Sequence, residues 1–311
     1  MRFPLLITLI IFATALQAQQ NRYPAATSKL ITIQKDFFGD ANYKRYSKDG
    51  DLQQEGELSE QRLKIAAVIP LYTNKQFSVT TALSYTRSNL RYYHKEASGL
   101  FQKSKFNTDD FDAALSGMYR ATLFNKPMIN TATLVLGSSN FFNPKKMTGL
   151  LSSSLVLKAN ATTLTTIGIA INLDGSGLVP FFPLFSYWHK LSNSQWELDM
   201  VLPQRVMLRR PGVFNGWLST GIELTNNSFF IKQEAEMQYR KGNYEWNSND
   251  INASLAYERF LGKKILVGLK GGYKSSLTTR LLKVNDKIDN YKSRTKISAP
   301  FFNVNMGFVI K

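Results

Sequence analysis

The feature that most constrains this chain is a set of long segments in which apolar and polar residues alternate. Between positions 77 and 85, Phe77, Val79 and Leu83 fall on one face of an extended chain, and small or polar residues fall on the other. Successive side chains of a β-strand point to opposite faces, so this period of two predicts strands. Other clear segments span 111–123, 196–208 and 265–273. The chain is therefore expected to be all-β.

The length of these segments favours a membrane barrel over a soluble β-sandwich. Strands of soluble proteins usually have about 5 or 6 residues, and segments such as 111–123 are about twice as long. A tilted sheet that crosses a bilayer needs long strands, and it must close on itself because lipid offers its edges no hydrogen bonds. We therefore expect a transmembrane antiparallel β-barrel. A soluble periplasmic β-protein is the alternative, but it leaves the Trp and Tyr residues near predicted strand ends unexplained.

The alternation and the turn residues between segments predict about fourteen strands. They cover 28–40, 57–71, 76–93, 107–124, 127–140, 148–158, 162–173, 179–190, 195–209, 214–226, 228–246, 249–261, 264–275 and 294–310. The predicted tight turns are 72–75, 125–126, 158–161, 226–227 and 261–264, and the predicted longer outer loops are 39–57, 94–105, 141–147 and 275–293. Short periplasmic turns and long outer loops are typical of such barrels. Twelve strands is the alternative, if 29–38 and the Pro-rich segment at 180–183 are not barrel strands.

The N-terminus is typical of a secretory signal peptide. Arg2 precedes an almost wholly apolar stretch up to Leu16, and small residues stand before a polar boundary. We expect a signal peptide over residues 1–18, cleaved after Ala18, and an outer-membrane barrel domain over 19–311. Cleavage after Ala15 and an uncleaved anchor are the alternatives. The chain contains no cysteine, which excludes a lipid-modified N-terminal Cys and any disulfide.

The chain is strongly basic, with 39 Lys and Arg against 22 Asp and Glu and a formal net charge of +17. An exported protein does not meet the genome, so nucleic acid is not an expected partner. The expected partners are outer-membrane lipid and lipopolysaccharide, the barrel-assembly machinery and, if the lumen is open, small solutes.

The end of the chain resembles the C-terminal strand by which outer-membrane barrels are recognised for assembly. Phe302, Val304, Met306, Phe308 and Ile310 alternate there with small or polar residues. The stretch 179–189, together with 196–203 and Arg209-Arg210, resembles an uncharacterised family of Gram-negative outer-membrane β-barrel proteins. The resemblance implies the barrel fold and an outer-membrane location. It implies no activity and no site residue.

Residues that carry chemistry are scarce. The two histidines, His94 and His189, are expected at opposite ends of the barrel, and the sequence shows neither a Gly-x-Ser-x-Gly turn nor a His-centred cluster of the kind that a Ser–His–acid site needs. Carboxylates at 109–112 and 286–289 lack the spacing of a dedicated Ca²⁺ loop. We therefore expect no enzymatic activity, no catalytic residue, no metal site and no cofactor.

Charged residues opposite the apolar faces are the candidate functional residues, because they are expected to face the lumen. They are Arg62, Lys64, Asp112, Arg120, Glu197, Asp199, Arg205, Lys232, Glu234, Glu236, Arg240, Glu258, Lys270 and Lys274. Such a mixed-charge interior is compatible with a water-filled channel. It is equally compatible with ion pairs that close the interior, because buried charges must be paired.

The sequence thus predicts an outer-membrane barrel whose specific function is not encoded in a motif. Passive passage of small solutes is the favoured function. The alternative is a barrel that does not transport and acts through its basic outer loops, especially 275–293, as a surface-binding or envelope-structural protein.

Overall fold

The computed structural model describes residues 29–95, 101–139, 143–173, 181–192, 194–233, 242–284, 286 and 288–309. The expected signal peptide lies outside these residues. The described strands are β1 (Lys29–Ser47), β2 (Leu52–Thr73), β3 (Phe77–Lys95), β4 (Phe101–Leu123), β5 (Lys126–Ser139), β6 (Asn143–Ala159), β7 (Thr163–Asn172), β8 (Phe181–Lys190), β9 (Glu197–Leu202), β10 (Arg205–Val213), β11 (Gly216–Gln233), β12 (Gly242–Leu261), β13 (Ile265–Lys283) and β14 (Ser293–Val309).

The strands form one closed antiparallel barrel. Each strand pairs with its neighbours in sequence, and β1 pairs with β14 from Lys29 opposite Val309 to Ser47 opposite Ser293. Closure gives every strand two partners and leaves no free sheet edge, as lipid requires. The barrel of about fourteen strands predicted from the sequence is confirmed, and the alternative of twelve is wrong.

One predicted strand is a hairpin in the structure. The segment 195–209 consists of β9 and β10, joined by a turn at Pro203 and Gln204. The alternation of faces continues unbroken through the turn, because Val201 pairs with Arg205 and an odd number of residues lies between them. Val201 and Met207 are both buried, and Leu202 and Val206 are both exposed. The sequence pattern therefore could not reveal the turn.

The opposite error occurs at the predicted turn 226–227. Asn226 and Asn227 lie inside β11, opposite Asn249 and Ser248 of β12. The Asn226 Nδ2 atom donates hydrogen bonds to the side chains of Asn247 and Asn249, so these amides are satisfied within the sheet. The predicted strands 214–226, 228–246 and 249–261 are therefore two strands, β11 and β12. The two errors offset each other, so the total count is correct.

The predicted long outer loops are mostly strand. β1 continues to Ser47 and β2 begins at Leu52, while β13 continues to Lys283, so most of 39–57 and part of 275–293 are extended. Beyond the bilayer both faces of a strand can be polar, and the alternation then disappears although the hydrogen bonds continue.

The distribution of apolar and polar side chains between outside and inside is the reverse of that in a soluble protein. Outward-facing Ile167, Ile169 and Ile171 of β7 are 50%, 44% and 41% exposed, whereas Asp199 and Asp250 are 2% and 1% exposed. Apolar side chains outside and polar side chains inside are the arrangement expected of a barrel in lipid with a polar interior. The described helix is a short 3-10 turn at Ile288–Asn290. In the described part of the chain, no helix is long and apolar enough to cross a membrane.

The barrel wall is uneven in height. Strands β1 to β4 have 19 to 23 residues, whereas β7 to β10 have only 6 to 10. We call the end that holds Lys29 and Val309 the terminal end, and the opposite one the outer end. The turns at the terminal end, such as 124–125 and 214–215, are short, and connections at the outer end reach 284–292. This asymmetry places the terminal end in the periplasm.

Candidate functional site in the barrel interior

The charged residues predicted to face the lumen occupy the strand faces that carry the other buried polar side chains. Arg62, Glu197, Asp199 and Lys274 are buried. Lys64, Asp112, Arg120, Arg205, Glu258 and Lys270 are half-buried. Lys232 lies on β11, but its side chain is not among those described. Glu234, Glu236 and Arg240 lie outside the described residues.

Interior charges are joined in pairs. Asp199 of β9 accepts from Arg205 at 3.0 Å and from Arg209 at 2.9 Å, both on β10. Other pairs are Lys29–Glu258 at 3.3 Å, Lys274–Asp250 at 3.8 Å, Arg62–Glu60 and Lys270–Glu223. Pairing offsets part of the cost of removing each charge from water. The charged side chains of both signs therefore hold the interior together and also make it polar.

A polar cavity of about 290 Å³ lies among these pairs, between β1, β2 and β10 to β14. Its charged lining residues are Lys29, Asp36, Arg62, Arg209, Glu223, Glu258, Lys270 and Lys274. Its amide-bearing lining residues are Gln34, Asn227, Asn252, Asn303 and Asn305. Such a lining can hydrogen-bond water or a small polar solute.

An apolar cluster fills the outer end of the interior, immediately above this cavity. It contains Tyr43, Leu58, Leu90, Phe229, Tyr244, Trp246 and Leu281, with Tyr92, Phe106 and Ile297 packed against it. The rings of Phe229 and Trp246 are stacked at 5.9 Å, and Tyr43 meets Tyr92 edge-on at 5.7 Å. Phe229, Tyr244 and Trp246 come from the outer half of the β11–β12 hairpin, so this hairpin supplies the centre of the cluster.

The other face of the same hairpin reaches the far wall. The Lys146 Nζ atom of β6 lies 3.1 Å from the Glu245 carboxylate of β12. The backbone N–H of Phe230 donates to the Asp110 carboxylate of β4 at 3.2 Å. The Phe230 ring lies over Gly137 of β5, where a Cβ atom would come within 3.4 Å of it. The outer half of the hairpin therefore crosses the lumen and is held on both sides.

The inner face of β6 to β8 carries two buried apolar groups. Leu150, Ala170 and Phe182 form one buried group, and Val156, Leu164 and Trp188 form another. These side chains pack on the inside of the wall where the strands are short. The polar cavity lies on the opposite side of the lumen.

The structure places the described histidine outside this interior site. His189 lies beside Thr163, with its Nδ1 atom 3.0 Å from the Thr163 hydroxyl, and it stacks on Tyr187. The side chain of His94 is not among those described. Within the described residues, no group of three or more His, Cys, Asp or Glu side chains could hold a metal ion.

Several interior residues escaped the sequence reasoning. Glu60 stands two positions before Arg62 on the same face, and alternation from Arg62 would have identified it. Glu245 and Lys146 carried no such signal, because they meet only after the hairpin has folded across the lumen.

The closed sheet, the apolar exterior and the polar, ion-paired interior define a transmembrane β-barrel of the outer-membrane class. Comparison with protein-family models finds no match, and comparison with curated proteins finds none, so the family expected from the sequence stays a prediction.

Solved structures that resemble the chain are outer-membrane barrels. An outer-membrane channel from Pseudomonas putida F1 shares 10% identity over 91% of this chain and 96% of its own, with a TM-score of 0.44. A FadL homologue from Pseudomonas aeruginosa shares 8% identity over 94% of both chains, with a TM-score of 0.33. The outer-membrane protease OmpT from Escherichia coli shares 9% over 91% of this chain and 98% of its own, with a TM-score of 0.26.

Proposed function

We propose that this barrel is an outer-membrane channel for small polar solutes, and that the β11–β12 hairpin closes its outer end in the conformation described. The observation that carries the proposal is the position of the hairpin, which places an apolar cluster directly over a polar cavity. A barrel with a purely structural role needs no polar cavity beneath such a cluster.

The cavity and the cluster are continuous. Phe38, Arg62 and Lys274 line the polar cavity, and they also line a small space of about 30 Å³ that extends up to Leu58 and Trp246. A solute that passed the hairpin would therefore enter the cavity without crossing another layer of packed side chains. This arrangement supports a path whose outer barrier is the hairpin.

The hairpin is held by contacts that can be broken without breaking the barrel. Its outer half stays paired with β13 through β12, from Tyr244 opposite Lys283 onward, while its position across the lumen is fixed by side-chain packing, by the Lys146–Glu245 pair and by the Phe230–Asp110 hydrogen bond. The barrel wall is held by the backbone ladders of all fourteen strand pairs. Weakening the first set should raise the population of an open state while the wall stays intact.

Single-channel recording in planar bilayers tests this proposal. Replacing a buried Trp by Ala costs about 3–5 kcal/mol of packing, and every 1.4 kcal/mol lost from the closed state alone raises the open population tenfold. We expect rare openings from the wild type and an open probability at least tenfold higher for Trp246→Ala.

Trp196→Ala is the matched control, because Trp196 stands beside Arg210 on the outer surface, away from the cluster. It removes the same atoms and should leave the open probability unchanged. Heat-modifiable gel mobility shows that each variant is folded. If folded Trp246→Ala conducts no more than the wild type, the channel proposal fails.

A further inference from the structure

A ladder of cations stands on the outer surface of β3 and β4. Going toward the outer end, Arg87 lies opposite Asp109, Asn89 opposite Asn107, Arg91 opposite Lys105, and Tyr93 opposite Lys103. Arg91, Lys103 and Lys105 are exposed, and the Lys103 ammonium lies 5.2 Å from the centre of the Tyr93 ring. We call Arg91, Lys103 and Lys105, with Tyr93, the β3–β4 cation patch.

The patch places like charges directly opposite each other. Arg91 and Lys105 are register partners, and like charges in this position destabilise an antiparallel pair. Two steps nearer the bilayer, Arg87 lies 3.8 Å from the Asp109 carboxylate and so has a counter-charge. Among the described residues, no ion pair involves Arg91 or Lys105. An anion between these two cations would convert the repulsion into attraction.

The patch lies on the water side of the apolar band. The outward face of β3 is apolar up to Tyr85, and the first charged residue beyond it is Arg87. Each step of two residues advances about 7 Å along a strand. Arg87 therefore stands about 7 Å beyond the end of the apolar band, and Arg91 about 20 Å beyond it along the tilted strand.

We infer that the β3–β4 cation patch binds phosphate groups of the outer-leaflet glycolipid, lipopolysaccharide. Arg and Lys are the side chains that pair best with phosphate, Arg through two parallel hydrogen bonds. Phosphates carried by a lipid that surrounds the barrel are confined beside its outer surface, which lowers the entropy cost of placing them between Arg91 and Lys105.

A comparable pair of cations elsewhere on the surface is a weaker candidate for an anion site, because one of the two already has a counter-charge. Lys44 and Lys296 are register partners on β1 and β14, but Lys44 already has Glu55 at 3.8 Å. On β2, Glu57 lies opposite Tyr93 and Ser59 opposite Arg91, so the row of Arg91 contains no acid on that side. The β3–β4 cation patch is therefore the better anion site.

Binding of fluorescent lipid A to the purified, folded full chain tests the inference. We expect the double variant Arg91→Gln/Lys105→Gln to bind lipid A at least tenfold more weakly than the wild type. Dephosphorylated lipid A should bind the wild type with the same tenfold loss. Lys126→Gln/Lys158→Gln removes two exposed charges at the terminal end and is the matched control, so it should bind like the wild type.

The urea midpoint of unfolding supplies a second readout. Misfolding of a variant would not produce shifts of opposite sign in the two media. In detergent without lipopolysaccharide, Arg91→Gln should raise the urea midpoint, because it removes a repulsion. In lipopolysaccharide-containing micelles the same change should lower the midpoint relative to the wild type. A midpoint that shifts the same way in both media contradicts the inference.

Two further results would overturn it. Equal loss of lipid A binding in the terminal-end control would show attraction to net charge instead of a site. Displacement of lipid A by inorganic phosphate at equal concentration would show a site for free anions instead of lipid. Neither result bears on conduction, so this inference and the channel proposal fail separately.

Discussion

Asp199 shows how one carboxylate holds two cations inside the barrel. Its side chain is 2% exposed, and it accepts from Arg205 and Arg209, which are 11% and 16% exposed. Arg205 and Arg209 lie on the same face of β10, so one buried carboxylate neutralises part of the charge of both.

Replacing Asp199 by Asn is expected to destabilise the barrel by about 3–5 kcal/mol, because it removes the buried carboxylate that Arg205 and Arg209 share. Urea unfolding in lipid vesicles, followed by tryptophan fluorescence, measures the change. Glu55→Gln breaks the exposed Lys44–Glu55 pair and should cost less than about 1 kcal/mol. Similar losses in the two variants would contradict a structural role for interior pairing.

At the scale of elements, the β11–β12 hairpin is distinctive because β11 is not paired with β10 beyond its first half, while β12 stays paired with β13. β11 contacts β4 and β5, although β10, β9, β8, β7 and β6 separate it from β5 in the sheet order. One face of the hairpin packs in the apolar cluster and the other bonds to β4 and β6. The hairpin therefore acts as a partition across the lumen.

Reversing one charge of the Lys146–Glu245 pair should release this partition. In Lys146→Glu two carboxylates meet where a cation and an anion stood at 3.1 Å, and we expect a higher open probability in planar bilayers. The double variant Lys146→Glu/Glu245→Lys restores opposite charges and should return toward the wild type, with a coupling of about 0.5–3 kcal/mol. If the two single effects simply add, the pair does not hold the hairpin.

At the scale of the whole molecule, the orientation of the barrel decides which end meets the cell surface. The short turns lie at the terminal end, together with the start of β1 and the end of β14. We place this end in the periplasm. The cluster, the hairpin and the β3–β4 cation patch then lie on the outer side. The binding of lipopolysaccharide depends on this orientation, whereas conduction does not.

Epitope tags test the orientation directly. A tag inserted after Asp49, in the exposed turn between β1 and β2, should bind antibody on intact cells. The same tag inserted after Ala161, in the turn between β6 and β7, should bind only after the outer membrane is permeabilised. The reverse pattern would place the cation patch in the periplasm and contradict its binding of lipopolysaccharide.

Local alternation was sufficient to predict the class of fold. The side-chain period of a strand depends only on neighbouring residues, so Arg62, Asp199 and Lys274 could be separated from the outward Leu and Ile residues without any structure. Local alternation did not predict every turn correctly. Asn226 is a residue type typical of turns, but it is hydrogen-bonded inside β11.

The sequence by itself determined the closed barrel, its inside and its outside, because each depends on periodicity along single strands. Only the tertiary structure decided what fills the interior. Lys146 meets Glu245 and Asp110 meets Phe230, although the partners stand 99 and 120 positions apart in the chain. Such contacts depend on where barrel closure places distant strands, and alternation within one strand carries no information about that.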